Sequence, residues 1–284
     1  MDKKTIAVLL ATYNGERFLR EQIESLYAQT IKDWTIYVHD DGSTDGTKAI
    51  LDEYAEKKDN FVVLDYPSQK GASNNFFSLL KRVNASYFFF ADQDDVWMSN
   101  KMEKCLARML QIEKSTISKP VLVCCDACVT DEKLKVVSPS LWERSGAYPE
   151  FLTNFNESAA TPFVTGCTML LNKAAKESVL WNVTEKATMH DAFITLCVFK
   201  ACGIVEPIRE SLMYYRQHGE NTLGAYSKEN SRLMYKLKHL KYVLKKDMAL
   251  LRMLNALGYG SFFKFMKYKF VYKSKCSKTN KVIV

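Results

Sequence analysis

The sequence predicts an α/β fold built on a mostly parallel sheet with helices on its faces. Two observations lead to this fold class. Short apolar runs alternate with amphipathic segments through the first half of the chain, and acidic clusters follow two of those runs. Repeated strand-helix-strand units pair their strands in parallel and place a binding face at the strands' carboxyl ends. Both acidic clusters are therefore expected on one face of the sheet.

The elements of the first half follow from this alternation. The apolar runs predict strands near 5–11, 34–40, 60–66 and 86–92. Helices are expected near 15–29, 44–58, 71–83 and 99–114. In the first of these helices Phe18, Ile23 and Leu26 fall on one stripe, as packing against a sheet requires.

The second half is less regular. A strand is expected near 120–125 and a hairpin around Asp131. The irregular stretch 138–162 has a length typical of functional loops, and we expect it to line an acceptor site. Beyond it we expect strands near 163–171 and 211–217, and helices near 172–181 and 190–202.

The carboxyl-terminal part of the chain carries most of the positive charge. Residues 228–284 hold fifteen basic and two acidic residues, whereas the net charge of the whole chain is +8. Residues 1–227 are therefore acidic overall. Apolar residues at three- to four-residue spacing predict a basic amphipathic helix over 229–257.

A second basic segment, 262–273, mixes aromatic residues with lysines. Its lysines do not segregate onto one helical face, yet its composition is typical of a lipid interface. The extension is therefore expected to contact an anionic membrane. The alternative is that its first helix, through residues such as Leu233 and Leu237, packs on the preceding domain.

Composition limits the class of protein. The chain has 284 residues, of which 47% are hydrophobic and 25% charged, as in ordinary globular proteins. No apolar run approaches the ~20 residues of a membrane-spanning helix, and the first residues lack the apolar core of a signal peptide. We therefore expect a cytoplasmic protein with reduced cysteines. Cys125 and Cys128 have zinc-like spacing, but no second pair follows, so buried thiols are expected.

The acidic clusters predict a site for a cation. The first spans 40–45 and the second spans 92–95, each directly after an apolar run. Carboxylates crowded at strand ends repel one another unless a cation or a ligand compensates their charge. A divalent metal that holds a diphosphate is the economical compensation.

Several short motifs occur in a fixed order along the chain. They lie at 6–14, 29–30, 40–45, 92–95 and 165–167. Together they resemble the inverting nucleotide-sugar glycosyltransferases of family 2, which have a GT-A fold, over roughly residues 5–224. His190-Asp191 and the segment 215–221 are most similar to the branch that builds bacterial surface polysaccharides, many of whose members transfer rhamnose.

The sequence also predicts the division of the chain, because residues 1–227 contain no internal repeat and no low-complexity linker and the basic charge begins after them. Residues 1–227 would form the GT-A domain, with a nucleotide-binding half at 1–98 and an acceptor-side half at 99–227. Residues 228–284 would form a basic, aromatic-rich helical extension.

The end of the first strand is expected to bind the nucleotide base. The ring of Tyr13 would stack on a pyrimidine and the carboxylate of Asp41 would accept its N3–H. The resemblance implies the same roles, and adds Ala11 and Asp92 to the donor site. The alternative is that Tyr13 packs in the core and Asp41 caps the following helix.

The second acidic cluster is expected to bind the metal. Asp92-Gln93-Asp94 resembles the family's metal-binding motif, which implies that Asp94 ligates Mg²⁺ or Mn²⁺ and that Asp92 lies nearer the ribose. His218 resembles the histidine that completes this metal shell. Asp95 is expected to cap the helix that starts near residue 98 instead.

Asp191 is the candidate general base. Inversion requires one carboxylate on the acceptor side to take the hydroxyl proton, and no enzyme nucleophile. In the family an acid usually precedes this aspartate, whereas His190 does so here, and the alternative is that Asp191 only starts a helix. Gly166 resembles the family's glycine turn beside the donor sugar.

The chain is therefore expected to transfer a sugar from a TDP- or UDP-linked donor to a lipid-linked glycan, at the inner face of the plasma membrane. One alternative is a nucleotide-sugar-binding protein without transfer activity, and another is a UDP-hexose transferase with a different acceptor. A nucleic-acid-binding protein is disfavoured because residues 1–227 are acidic.

Overall fold

The computed structural model describes residues 4–182, 187–219 and 240–279. The strands are β1 Ile6–Thr12, β2 Thr35–Asp40, β3 Phe61–Val63, β4 Tyr87–Asp92, β5 Val96–Trp97, β6 Val121–Thr130, β7 Val136–Ser138, β8 Met169–Asn172 and β9 Ile204–Arg216. The helices are α1 Leu19–Tyr27, α2 Thr47–Lys57, α3 Ala72–Arg82, α4 Lys101–Glu113, α5 Leu141–Ser145, α6 Phe155–Ala160, α7 Lys173–Leu180, α8 His190–Lys200, α9 Leu240–Ala256 and α10 Phe262–Thr279. Short 3-10 turns occupy Pro149–Phe151 and Gly166–Thr168.

The strands form one mixed sheet in the order β3-β2-β1-β4-β8-β6-β9-β5, with β7 paired to β6. The predicted parallel pairing is confirmed for β3, β2, β1 and β4. Beyond β4 the sheet is mixed, because β8 runs antiparallel to both of its neighbours. The strand-helix repeat ends after α4, where a β6–β7 hairpin replaces the next crossover helix.

The register of the parallel strands places the acidic clusters side by side. Thr12 of β1 pairs with Asp40 at the end of β2, and Ala11 pairs with Asp92 at the end of β4. Parallel strands end at the same edge of a sheet. The prediction that both clusters share one face is therefore confirmed.

Apolar residues of β1 alternate between two core layers, one on each face of the sheet. Ala7 and Leu9 face the layer that contains α3 and α8, whereas Val8 and Leu10 face the layer that contains α1, α2 and α4. This two-residue period is that of a strand buried on both faces. The crossover helices therefore cover the sheet as the sequence predicts.

The described part of the carboxyl-terminal extension packs against the rest of the chain. Met253, Leu254 and Leu257 of the α9 region and Tyr272 of α10 are buried in the same core layer as α3 and α8. The packing alternative holds for these residues, and the predicted Leu233 and Leu237 contacts lie outside the described residues. The predicted helix end is confirmed, because α9 stops at Ala256 and two glycines with positive φ follow it.

Within residues 4–182, 187–219 and 240–279, no helix is both long enough and apolar enough to cross a bilayer. The eight cysteines are free thiols, six of them buried. Cys125 and Cys128 are buried free thiols, as predicted from the lack of a second cysteine pair.

Candidate active site

Four carboxylates gather where β4 ends and α8 begins. Asp92, Asp94 and Asp95 follow β4, and Asp191 lies in the first turn of α8. Burial, and then the negative charges of Asp94 and Asp191, raise the pKa of Asp92 to about 7. Asp191 is thus close enough to the strand-end cluster for the carboxylates to repel one another.

The predicted metal-binding pair lies together in the structure. His218 Nε2 is 2.7 Å from Asp94 Oδ2, and both side chains are mostly buried. The ring of Phe18 packs against the imidazole with its centroid 4.9 Å away. Carboxylate oxygen and imidazole nitrogen suit Mn²⁺ and are compatible with Mg²⁺.

A buried arginine holds this pair in place. Arg216, at the end of β9, donates from its backbone N–H to Asp95 Oδ1 at 3.1 Å and from Nε to the Asp94 carbonyl at 2.8 Å. Its remaining guanidinium nitrogens donate to the Glu132 carbonyl and to the Glu21 carboxylate. This one side chain therefore ties α1, the β4 end and the β6–β7 hairpin together around the site.

Asp95 does not cap α4, contrary to the prediction. Helix α4 starts at Lys101 with Asn100 at its N-cap position, because β5 intervenes and pairs with β9. Asp95 is instead fully buried and faces Arg216. Burial, and then the charges of Asp94 and Asp92, raise its pKa well above the ordinary value.

A buried lysine lies beside the carboxylates. Lys101 is 0% exposed, donates from Nζ to the Cys167 carbonyl at 2.6 Å, and lies 3.5 Å from the centroid of the Trp97 ring. A sequence signal for it exists, since Lys101 falls on the apolar stripe of α4 that continues with Cys105 and Met109. A lysine at a core position needs a compensating partner.

Two groups of side chains compete as candidate metal ligands among the described residues. Ligand atoms of Asp92, Asp95 and Cys167 lie within 4.8 Å of one another. Mg²⁺ and Mn²⁺ are hard cations that prefer oxygen ligands, so the soft sulfur of Cys167 suits them poorly. The pair Asp94 and His218 therefore fits a hard divalent cation better.

The ring of Tyr13 is 56% exposed, so it does not pack in the core. Gln93 holds its backbone by accepting from Tyr13 N at 2.8 Å and donating to Tyr13 O at 2.9 Å. A Cβ at Gly15 would lie 2.3 Å from Gln93 Oε1, so the glycine makes this clasp possible. Ala11 is buried in β1. Stacking of Tyr13 on a base stays a prediction.

The Asp41 carboxylate binds a loop of its own chain. It accepts hydrogen bonds from Ser68 Oγ and from the backbone N–H groups of Gln69, Lys70 and Gly71. Burial opposes the charged form, but these bonds outweigh it and lower the pKa of Asp41. The carboxylate thus braces the start of α3 rather than capping the following helix α2, and its contact with a base stays a prediction.

Asp191 combines a helix-start position with access to the site. Its side chain is partly exposed, and Oδ1 accepts from Ala192 N at 2.6 Å. The helix N-cap is Met189, which contributes no side-chain hydrogen bond. Asp191 therefore lies at the start of a helix, as the alternative interpretation expects. Its role as a base stays a prediction.

Gly166 makes room for a histidine. A Cβ at this position would lie 2.3 Å from His190 Nε2. The His190 ring is buried between Phe76 and Phe90, with centroids 4.4 and 5.9 Å away, and among the described residues neither ring nitrogen has a hydrogen-bond partner. His190, rather than a donor sugar, makes the close approach to Gly166.

Comparisons with known proteins agree with this geometry. The family model described as glycosyl transferase family 2 matches residues 7–180. The dTDP-rhamnosyl transferase RfbG of Shigella flexneri is 28% identical over 227 residues, covering 76% of this chain and 74% of that protein. The Escherichia coli UDP-Glc:alpha-D-GlcNAc-diphosphoundecaprenol beta-1,3-glucosyltransferase WfgD is 30% identical over 111 residues, covering 39% of this chain and 43% of that protein.

A solved structure shares the fold. The crystal structure of Staphylococcus aureus TarS 1-349 in complex with UDP-GlcNAc superposes with a TM-score of 0.58 at 18% identity, covering 89% of this chain and 72% of that one. The mixed sheet flanked by helices is thus the GT-A fold. With the family match extending over most of that sheet, the chain belongs to glycosyl transferase family 2 and is a glycosyltransferase.

Proposed function

We propose that this glycosyltransferase moves rhamnose or another hexose, with inversion, from a TDP- or UDP-linked donor to a lipid-linked glycan of a bacterial surface polysaccharide. The observation that carries the proposal is the position of Asp191, a partly exposed carboxylate next to the cluster of Asp92 and Asp94. Two relatives support the substrate classes: one is named a dTDP-rhamnosyl transferase and the other acts on a diphosphoundecaprenol-linked sugar.

Asp191 acts as the general base in this proposal. Its carboxylate takes the proton from the acceptor hydroxyl as that oxygen bonds to the anomeric carbon and the bond to the diphosphate breaks. Because Asp191 takes the hydroxyl proton while that oxygen attacks the anomeric carbon directly, a single displacement needs no nucleophile on the protein. The product sugar then has the opposite anomeric configuration to the donor.

Asp94 and His218 hold Mg²⁺ or Mn²⁺ in this proposal. When bound, the divalent ion offsets the negative charge that develops on the departing diphosphate. Arg216 keeps the two ligand-bearing segments in register through the Asp94 carbonyl and the backbone contact with Asp95. Asp92 lies nearer the ribose.

The donor nucleotide binds across the ends of β1 and β2. The exposed Tyr13 ring stacks on the pyrimidine, and the buried Ala11 of β1 borders the donor site. The Asp41 carboxylate accepts a hydrogen bond from the base N3–H and also positions the 68–71 loop. Gly166 lies near the sugar, with the buried His190 behind it. The 138–162 stretch, which includes residues 146–157, forms part of the acceptor wall, and the protein works at the inner face of the plasma membrane.

A donor screen with purified protein tests this function. Nucleoside diphosphate release should be fastest with one TDP- or UDP-sugar, should require Mg²⁺ or Mn²⁺, and should stop with EDTA. Addition of a polyprenyl diphosphate-linked sugar should give a new glycolipid. Donor binding without release or transfer would favour a binding protein, and transfer of a UDP-hexose only to a water-soluble acceptor would favour the other enzyme class.

A further inference from the structure

Helix α10 has two apolar stripes on opposite sides. The inner stripe contains Phe265 and Tyr272, which are buried in the core layer shared with α3 and α8. The outer stripe contains Phe263, Met266 and Phe270, at a spacing of three and four residues that keeps them on one face. The inner stripe explains why the helix is held on the protein and leaves the outer stripe unexplained.

The outer stripe is exposed to solvent. Phe263 is 85% exposed, Phe270 75% and Met266 47%. Large side chains that are exposed together on one helix face mark a contact surface more often than a solvated one. No other part of the described chain covers this face.

Lysines border the outer stripe on both sides. Lys267 and Lys273 are exposed at its two edges, and α10 contains six lysines and no acidic residue. Because the helix carries two apolar stripes, the lysines can only occupy the strips between them. This explains why they do not segregate onto one face in the sequence.

We propose that the outer stripe of α10 inserts into the headgroup region of an anionic phospholipid bilayer, with Lys267 and Lys273 on the lipid phosphates. Aromatic rings at headgroup depth with lysines beside them suit this environment. A second copy of the chain is a poorer partner, since two such faces would bring lysines against lysines with no acid in either helix. The proposal rests on the proposed function only in that its acceptor is lipid-linked.

The inner side of the same helix connects the bilayer to the acceptor wall. Tyr272 Oη accepts a hydrogen bond from Tyr148 N at 2.8 Å, and Lys275 Nζ forms a salt bridge with Glu157 at 2.8 Å. A docked α10 therefore holds the 146–157 segment near the membrane surface. Docking would place this wall where the sugar of a lipid-linked acceptor lies.

Vesicle co-sedimentation of the full chain tests the surface. Wild type should bind phosphatidylcholine vesicles with 30% phosphatidylglycerol at least 10-fold more tightly than pure phosphatidylcholine vesicles. Salt at 0.5 M should weaken that binding, because the Debye length shortens toward the ~3 Å that it reaches at 1 M. The double variant Phe263→Ser/Phe270→Ser should lose about 10-fold or more. The control Ile117→Ser/Trp181→Ser, which removes two side chains exposed elsewhere, should bind like wild type.

A second variant separates charge from folding. Lys267→Gln/Lys273→Gln should lower vesicle binding about 10-fold at low salt, and its melting temperature should stay within a few degrees of wild type. Nucleoside diphosphate release should be the same in both double variants as in wild type. If wild-type protein itself releases no nucleoside diphosphate, that result counts against the proposed function and not against the membrane surface.

Three results would overturn the proposed surface. They are wild-type binding that does not depend on phosphatidylglycerol, stripe variants that bind vesicles like wild type, and wild-type protein that binds a single-stranded oligonucleotide more tightly than these vesicles. A dimer in light scattering that the Phe263→Ser/Phe270→Ser variant abolishes would identify a second copy as the occupant instead.

Discussion

His218 Nε2 lies 2.7 Å from Asp94 Oδ2 although 124 residues separate the two in the chain. The contact joins the end of β9 to the loop after β4, next to the strand-end carboxylates. It brings an imidazole nitrogen and a carboxylate oxygen together at the edge of the sheet where a diphosphate is proposed to bind.

Asp94→Asn should abolish metal-supported donor turnover while the fold stays intact, because the change removes a charged ligand and keeps its size. Thermal melting with and without Mn²⁺ checks the fold and the metal effect together. Glu53→Gln, at a partly exposed carboxylate in a surface ion pair, is the matched control. Wild-type turnover by Asp94→Asn at limiting metal would contradict the ligand role.

Asp191→Asn should reduce glycosyl transfer by about 100-fold or more and leave donor affinity nearly unchanged, as for loss of a positioned general base. Calorimetry of UDP or TDP binding, beside the transfer rate, separates the two effects. An equal loss of donor affinity would point to a role in metal or donor binding instead.

The apo protein should become less stable as pH rises through about 7. The folded-state pKa of Asp92 is raised from its ordinary value of 3.8 to about 7, so the folded protein binds this proton more tightly than the unfolded chain. The stabilising contribution is fully present below about pH 4 and is lost as pH rises through about 7. Urea unfolding in EDTA should show this fall, and a shallower fall in Asp92→Asn; equal slopes would refute the coupling.

Gly166→Ala should destabilise the protein by about 1–3 kcal/mol, because the new Cβ would lie 2.3 Å from His190 Nε2. His190→Ser removes the clash, so the double variant should recover much of the cost of the alanine. A double-mutant cycle in urea measures this coupling. Additive effects of the two changes would mean that the cost of Gly166→Ala does not come from the contact with His190.

The strand-end aspartates could be predicted because strand periodicity fixes where a parallel strand ends, and residues after it must lie at one edge. The side chains that hold these aspartates in place could not be predicted in the same way. Arg216 acts through contacts across the sheet, which no local pattern encodes. The apolar stripe of α4 marks Lys101 as a core position but does not reveal its partners. The position of Asp95 predicts a helix cap because sequence spacing does not reveal the short strand β5 between it and α4.

The extension shows a different limit of sequence patterns. Charge and aromatic content predict a separable, membrane-facing tail, yet Met253, Leu254 and Tyr272 are part of the core. A composition count cannot distinguish one apolar stripe from two on opposite faces of a helix. Truncation after Gly224 would remove these core residues, so point changes on the outer stripe are the cleaner test of membrane contact.

The central claim is inverting, metal-supported transfer at the site of Asp94 and Asp191. The most direct measurement is proton NMR of the glycolipid formed from an anomerically defined TDP- or UDP-sugar and a polyprenyl diphosphate-linked acceptor. With Mn²⁺ the new linkage should have the anomeric configuration opposite to the donor, and with EDTA no product should form. A product of retained configuration, or equal product in EDTA, would contradict inverting, metal-supported transfer.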